Sequence, residues 1–159
     1  MSQTTLETPA DLLRFQLRTA VTMEEDSLAA LGELASAAQS SDVKKLFRHH
    51  ADETREQMEN LTAVFTLLEL PETTAPSPST KGISRQAASL ISRSAAKLRD
   101  QVTLASALGN EHYEISAYES LIIGVQATGH DEALALLREN LDQETHTSEE
   151  LRTRLQAMA

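Results

Sequence analysis

Six side chains interrupt the apolar stripes of this 159-residue sequence: Glu24, His50, Glu53, Glu111, Glu114 and Glu144. Leu13, Leu17 and Ala20 lead to Glu24 and then to Leu28, Leu31 and Ala35. Leu46 leads to His50, Glu53 and Gln57, then to Leu61, Val64 and Leu68. Leu104 and Leu108 lead to Glu111, then to Ile115, Tyr118, Ile122 and Val125, with Glu114 flanking. Leu134, Leu137 and Leu141 lead to Glu144, then to Ser148, Leu151 and Leu155. Steps of three and four trace the face that a helix turns to a core. Each of four helices therefore carries one polar break near its middle. An unpaired carboxylate there costs several kcal/mol, and a cluster of them repels and must take up protons. Divalent cations remove both difficulties. Four to five carboxylates with one imidazole form the ligand set of a di-iron or di-manganese carboxylate site.

The breaks also agree in height. Glu24 lies about 16 residues before the first helix–helix turn and Glu53 about 12 after it, at about 1.5 Å per residue. Glu114 lies about 15 residues before the last turn and Glu144 about 14 after it, on the same rise. His50-x-x-Glu53 sets both groups on one face, in the reverse of the commoner Glu-x-x-His order. Glu111 lies on the stripe and Glu114 one turn along, so either can take the terminal ligand role. Gln57 and Ser148 read as spacers behind the ligands, and Tyr118, one turn from Glu114, as a core filler, with donation to a carboxylate as its alternative. His49, His112 and His146 fall off the stripes and read as surface or interface residues, while His130 falls in a turn.

The elements that hold these residues are two helical hairpins. The first, residues 9–70, begins where Thr8 can cap, Pro9 takes the first helical position and Asp11 the first turn. A short break around Ser41, the expected cap, separates its helices. Residues 71–82, rich in proline, read as an extended linker, followed by a short helix over about 84–93. The second hairpin occupies 96–158 and turns at "TGHDE". A linker and short helix over 71–95 are long enough to cross from one end of a bundle to the other. The expected fold is a single all-α domain over 1–159, a ferritin-like four-helix bundle whose long crossover carries the extra helix. A plain up-down-up-down bundle is the alternative.

Composition excludes several function classes. The chain has no cysteine, so it holds neither disulfide nor thiolate metal site. A formal net charge of -10, without a Lys/Arg-rich stripe, argues against a nucleic-acid partner. No apolar run approaches the roughly 18 residues of a membrane span. The N-terminus lacks the basic and apolar regions of a signal peptide. A cytoplasmic, soluble protein with no membrane partner is expected.

The sequence resembles the YciE/YciF family from about Asp11 to Leu155. "EHYEISAY" within residues 98–121 is the most specific piece, with "HHADETREQ" within 49–65 beside it. "MEEDSLAALGELA" (23–35) is similar to the family's first helix and "LLRENLDQETHTSEEL" (136–151) to its last. Thr145 and Ser148 stand where the family usually has Lys and Asp, and Gly32 replaces a common proline. The resemblance implies a ferritin-like fold and a dinuclear iron or manganese centre with Glu24, His50, Glu53, Glu111, Glu114 and Glu144 as ligands. It implies stress-associated proteins, often homodimeric, sometimes named ferroxidases, with O2 or peroxide as the small-molecule partner. Glu53 and Glu144 would then bridge the metals, with Glu24 and Glu111 or Glu114 capping one each. A structural or interaction protein with a vestigial or stabilising site is the competing expectation, and an iron-storage cage a weaker third.

Overall fold

The computed structural model describes residues 3–159. Among them are five α-helices and no strand: α1 (Pro9–Ala37), α2 (Ser41–Leu67), α3 (Pro78–Arg93), α4 (Arg99–Gln126) and α5 (Asp131–Met158). A single 3₁₀ turn, Ala96–Leu98, precedes α4. The start of α1 is a reciprocal cap. Thr8 accepts from the Asp11 N–H while the Asp11 carboxylate accepts from the Thr8 N–H, and Pro9 supplies the preset φ of the first position. Ser40 caps α2 by accepting from the Val43 N–H, one residue before the expected Ser41, which is already helical. At the other end of α2, Glu69 adopts φ 56 while the Leu70 N–H reaches back to the Phe65 carbonyl. That left-handed residue ends the helix before Pro71.

The four long helices form a bundle in which α1 packs on α2 and α4, and α5 packs on α2 and α4. Gln16 on α1 reaches Ser120 near the end of α4, so these neighbours are antiparallel. Asp100, in the first turn of α4, accepts from the Gln39 N–H at 2.6 Å and the Ser40 N–H at 3.2 Å. α4 therefore begins at the α1–α2 turn, opposite the end where α2 finishes, and runs parallel to α2. This is the crossover arrangement of a ferritin-like bundle rather than up-down-up-down. Asp100→Ala removes an acceptor from two N–H groups at the start of α2. It is expected to lower stability by about 1–2 kcal/mol, read as a lower urea midpoint with an unchanged slope.

The crossover climbs α1 one turn at a time. Arg18 holds Thr74 and Ala75, the Thr22 hydroxyl donates to the Ala75 carbonyl, and Asp26 accepts from Thr80 and pairs with Lys81. α3 starts six residues earlier than the sequence suggests. Pro78 occupies its first turn, where a missing N–H is no loss, and Gly82 is carried inside it. α3 then packs against α1 and α4, burying Ala87.

The core has two apolar halves. Leu17, Phe65, Tyr118, Leu121 and Leu137 belong to one cluster, and Leu31, Phe47, Leu104 and Leu151 to the other. The polar breaks of the four stripes lie between them.

Candidate metal centre

α1 brings Glu24 and Ser27 into the polar layer, and α2 brings His50, Thr54 and Gln57. α4 supplies Glu111 and Glu114, and α5 supplies Asn140, Glu144, Thr147 and Ser148; all are buried. Glu24 is 0% exposed, Glu114 1%, Glu144 3% and Glu111 4%. Along α4 the buried stripe runs Leu104, Ala107, Glu111, Glu114, Tyr118, Leu121 and Val125. Ile115 and Ile122, expected on it, are only half-buried. The core face is thus rotated toward Glu114, which sits fully inside rather than flanking. Glu24, Glu114 and Glu144 each place one oxygen so that all three lie within 4.8 Å of one another. The Glu144 carboxyl is also within hydrogen-bonding reach of Glu111.

Burial dominates the electrostatics here. It pushes the Glu24 carboxyl up from 4.5 to about 8, against the lowering effect of the Tyr118 hydrogen bond. Burial likewise raises Glu111, Glu114 and Glu144 well above the ordinary range, and the charges of neighbouring carboxylates push the same way. Burial and mutual repulsion thus favour the protonated form of these groups until a cation takes the proton's place. Glu53 behaves oppositely. Partial burial raises it, but its hydrogen bond to His50 and the charges of His50, His49 and His146 outweigh burial and hold it below 4.5.

Several atoms of the layer have no protein partner. Glu24 Oε2, Glu111 Oε2, Glu114 Oε1, His50 Nε2 and Gln57 Oε1 are buried without a hydrogen bond. His50 Nδ1 lies 3.2 Å from Glu53 Oε1. A ring that donates from Nδ1 to a carboxylate leaves Nε2 as a free lone pair, the usual arrangement of a metal-binding histidine. Carboxylate oxygens and one imidazole nitrogen, otherwise unsatisfied, fit a hard or borderline divalent cation.

The six expected ligands fall in different places. Glu24, Glu114 and Glu144 form the tight group, Glu111 adjoins Glu144, and His50 is buried beside Glu53. Glu53 lies at the edge, 16% exposed, shared between His50 and the surface residue His49. Ser148 is buried, but its hydroxyl turns back to the Thr145 carbonyl of its own helix. No side-chain ligand therefore comes from the position where the resembling family has Asp.

Tyr118 does more than fill the core. Its hydroxyl donates to Glu24 Oε1 at 2.6 Å and accepts from Asn140 Nδ2 at 3.1 Å. Asn140, absent from the sequence reading, also donates to the Gln57 carbonyl and accepts from Asn60. The available signal was its spacing four residues before Glu144, masked by the neighbouring Leu141. Tyr118→Phe leaves Glu24 and Asn140 each short of a partner. It is expected to destabilise the metal-free protein by about 1–3 kcal/mol, measured by urea denaturation against wild type.

Comparison with known proteins agrees with this fold. The model of a domain of unknown function, DUF892, matches residues 8–159. Protein YciF of Escherichia coli (strain K12) is 28% identical over 144 residues, covering 89% of this chain and 87% of that protein. The crystal structure of the E. coli stress protein YciF superposes with a TM-score of 0.90 at 27% identity, covering 94% of this chain and 96% of that one. YcfI from Rhodopseudomonas palustris, described only provisionally, as a structural protein, superposes at 0.91 with 28% identity, covering 96% and 98%.

Proposed function

The chain belongs to the DUF892 family, and from that membership together with its polar layer we propose that it is a carboxylate-bridged metal-binding protein. One observation carries the reading: Glu24, Glu114 and Glu144, from three helices, bring buried oxygens within 4.8 Å of one another. Three carboxyls are not gathered in an apolar core to stabilise it, since hydrophobic residues of the same volume would do so better. In the proposed centre Glu24, Glu111, Glu114 and Glu144, with His50 and Glu53, would hold the ions, Glu144 lying in reach of both Glu111 and Glu114. Two iron or manganese ions bound there would supply redox chemistry toward O2 or peroxide, as a ferroxidase in a stress response does. The protein's own contributions are to exclude water through the two apolar clusters and to hold Glu24 through the Tyr118 hydroxyl.

Elemental analysis of protein purified without added metal, followed by Fe(II) oxidation under air, tests the proposal. Sub-stoichiometric metal together with no acceleration of Fe(II) oxidation would remove it.

A second reading, of a homodimeric interaction protein with a stabilising centre, is favoured by one surface feature. Leu12 and Ile123, 46% and 70% exposed, line an open groove of about 1350 Å³ where α1 begins and α2 and α4 end. Light scattering of the wild type and Ile123→Glu separates a dimer built on this face from a monomer.

A further inference from the structure

The polar layer is closed in most directions. Above and below it lie the two apolar clusters, through which a hydrated ion does not pass. On the α1–α4 side, α3 lies across the seam. Ile83, Ser84 and Ala87 face Ser27, Asn110 and Glu111 around a cavity of about 20 Å³, room for about one water. The outer α1–α2 groove is lined by Lys44, Arg48 and Arg55, and the α4–α5 surface carries Arg152 against His112. Arg55 is paired with Asp52, but the charges of Lys44, Arg48 and Arg152 repel a divalent cation.

The α2–α5 seam differs. α3 packs on α1 and α4 and leaves this seam uncovered. Glu53 is 16% exposed there, while no other carboxylate of the layer exceeds 4%. One oxygen, Glu53 Oε1, lies 3.0 Å from His49 Nε2 and 3.2 Å from His50 Nδ1. The His49 side chain is 68% exposed, whereas that of His50 is 4% exposed. Glu53 therefore joins an imidazole in water to an imidazole inside. Across the seam, Asn60 meets Asn140, Glu56 meets Gln143 and His50 meets Thr147. That antiparallel register sets His146 opposite Glu53, close enough for its charge to act on the carboxylate.

We propose that His49, Glu53 and His146 form the loading port through which a divalent cation reaches the buried carboxylates. The inference rests on the metal-binding reading above and adds residues outside the ligand set. His49 and His146 take the ion from water with Glu53, and rotation of the Glu53 side chain passes it to His50 and then to Glu111 and Glu144. Imidazole with a single carboxylate suits first-row divalent ions, and so few ligands release the ion inward readily. Because a port acts on passage and not on the bound state, it changes uptake and release by the same factor.

The test follows Co(II) uptake by the metal-free protein through its visible absorbance in a stopped-flow instrument, and release to a chelator afterwards. In the double variant His49→Ala/His146→Ala, uptake and release are both expected to slow roughly tenfold, with unchanged stoichiometry and final spectrum. His112→Ala, on the α4–α5 surface, should match wild type in all four. Unchanged rates in the double variant would overturn the port. So would an altered final spectrum or lower stoichiometry, which would make the histidines ligands of the stored ion. Failure of the unaltered chain to bind Co(II) at all would remove the metal centre, and the port with it.

Discussion

The metal-free protein is expected to become less stable as pH rises from about 4.5 to about 8, and a divalent cation is expected to reverse that loss. Below 4.5, the ordinary value of the carboxyl, Glu24 is protonated in both folded and unfolded chains. Above it the unfolded chain releases a proton that the folded chain keeps until about 8. The folded state binds more protons throughout this window, so stability falls with pH. Glu111, Glu114 and Glu144, raised by the same burial, act in the same sense. Glu53, held low by its histidines, acts in the opposite sense only below 4.5. At about 1.4 kcal/mol per pKa unit, the loss amounts to several kcal/mol. At pH 8 a cation in roughly hundredfold excess over its Kd should raise the melting temperature by about 5–10 °C. At pH 5, where protons compete for the same oxygens, the gain should be much smaller. Thermal melts by circular dichroism across this range provide the measurement. A melting temperature that stays flat or rises from pH 5 to 8 would contradict the cluster's electrostatics.

Glu144→Gln should change stability in opposite directions in the two states. Glu144 offers one oxygen to the group formed with Glu24 and Glu114, and its carboxyl also reaches Glu111. Glutamine keeps the volume, removes one charge and presents an amide that can donate to the neighbouring carboxylates. At pH 8 the metal-free variant should be more stable than wild type by about 1–3 kcal/mol, through relief of repulsion and a new donor. The same variant should lose most of the metal-dependent rise in melting temperature, because the proposed ligand has lost a carboxylate oxygen and its charge. Destabilisation without metal would mean that Glu144 acts as a paired structural group.

Much of this architecture was legible in order and type. Pro9 after Thr8 marked the start of α1, and the run of prolines after Leu70 marked the crossover. Pro78 misled, because the same residue that breaks a helix interior also begins a helix well. The rungs that carry the crossover up α1, Arg18, Thr22 and Asp26, left no trace in the apolar pattern, since polar side chains at four-residue spacing also describe an ordinary solvated face. Asn140 was hidden for a related reason: Leu141 beside it offered the apolar step that a stripe prefers.

By itself the sequence determined that four helices carry carboxylates on their inward faces at one height, because periodicity and rise are local properties of each helix. It also limited the imidazole to His50, the histidine that falls on a stripe. Only the tertiary structure decided which of these groups meet. A stripe is broad and drifts about 20° per heptad, so it names a face without fixing how far that face turns toward each neighbour. Packing of α4 against α1 and α5 turned Glu114 fully inward beside Glu24 and Glu144, and placed Glu111 next to Glu144. Packing of α2 against α5, uncovered by α3, left Glu53 at the edge between one imidazole in water and one in the core.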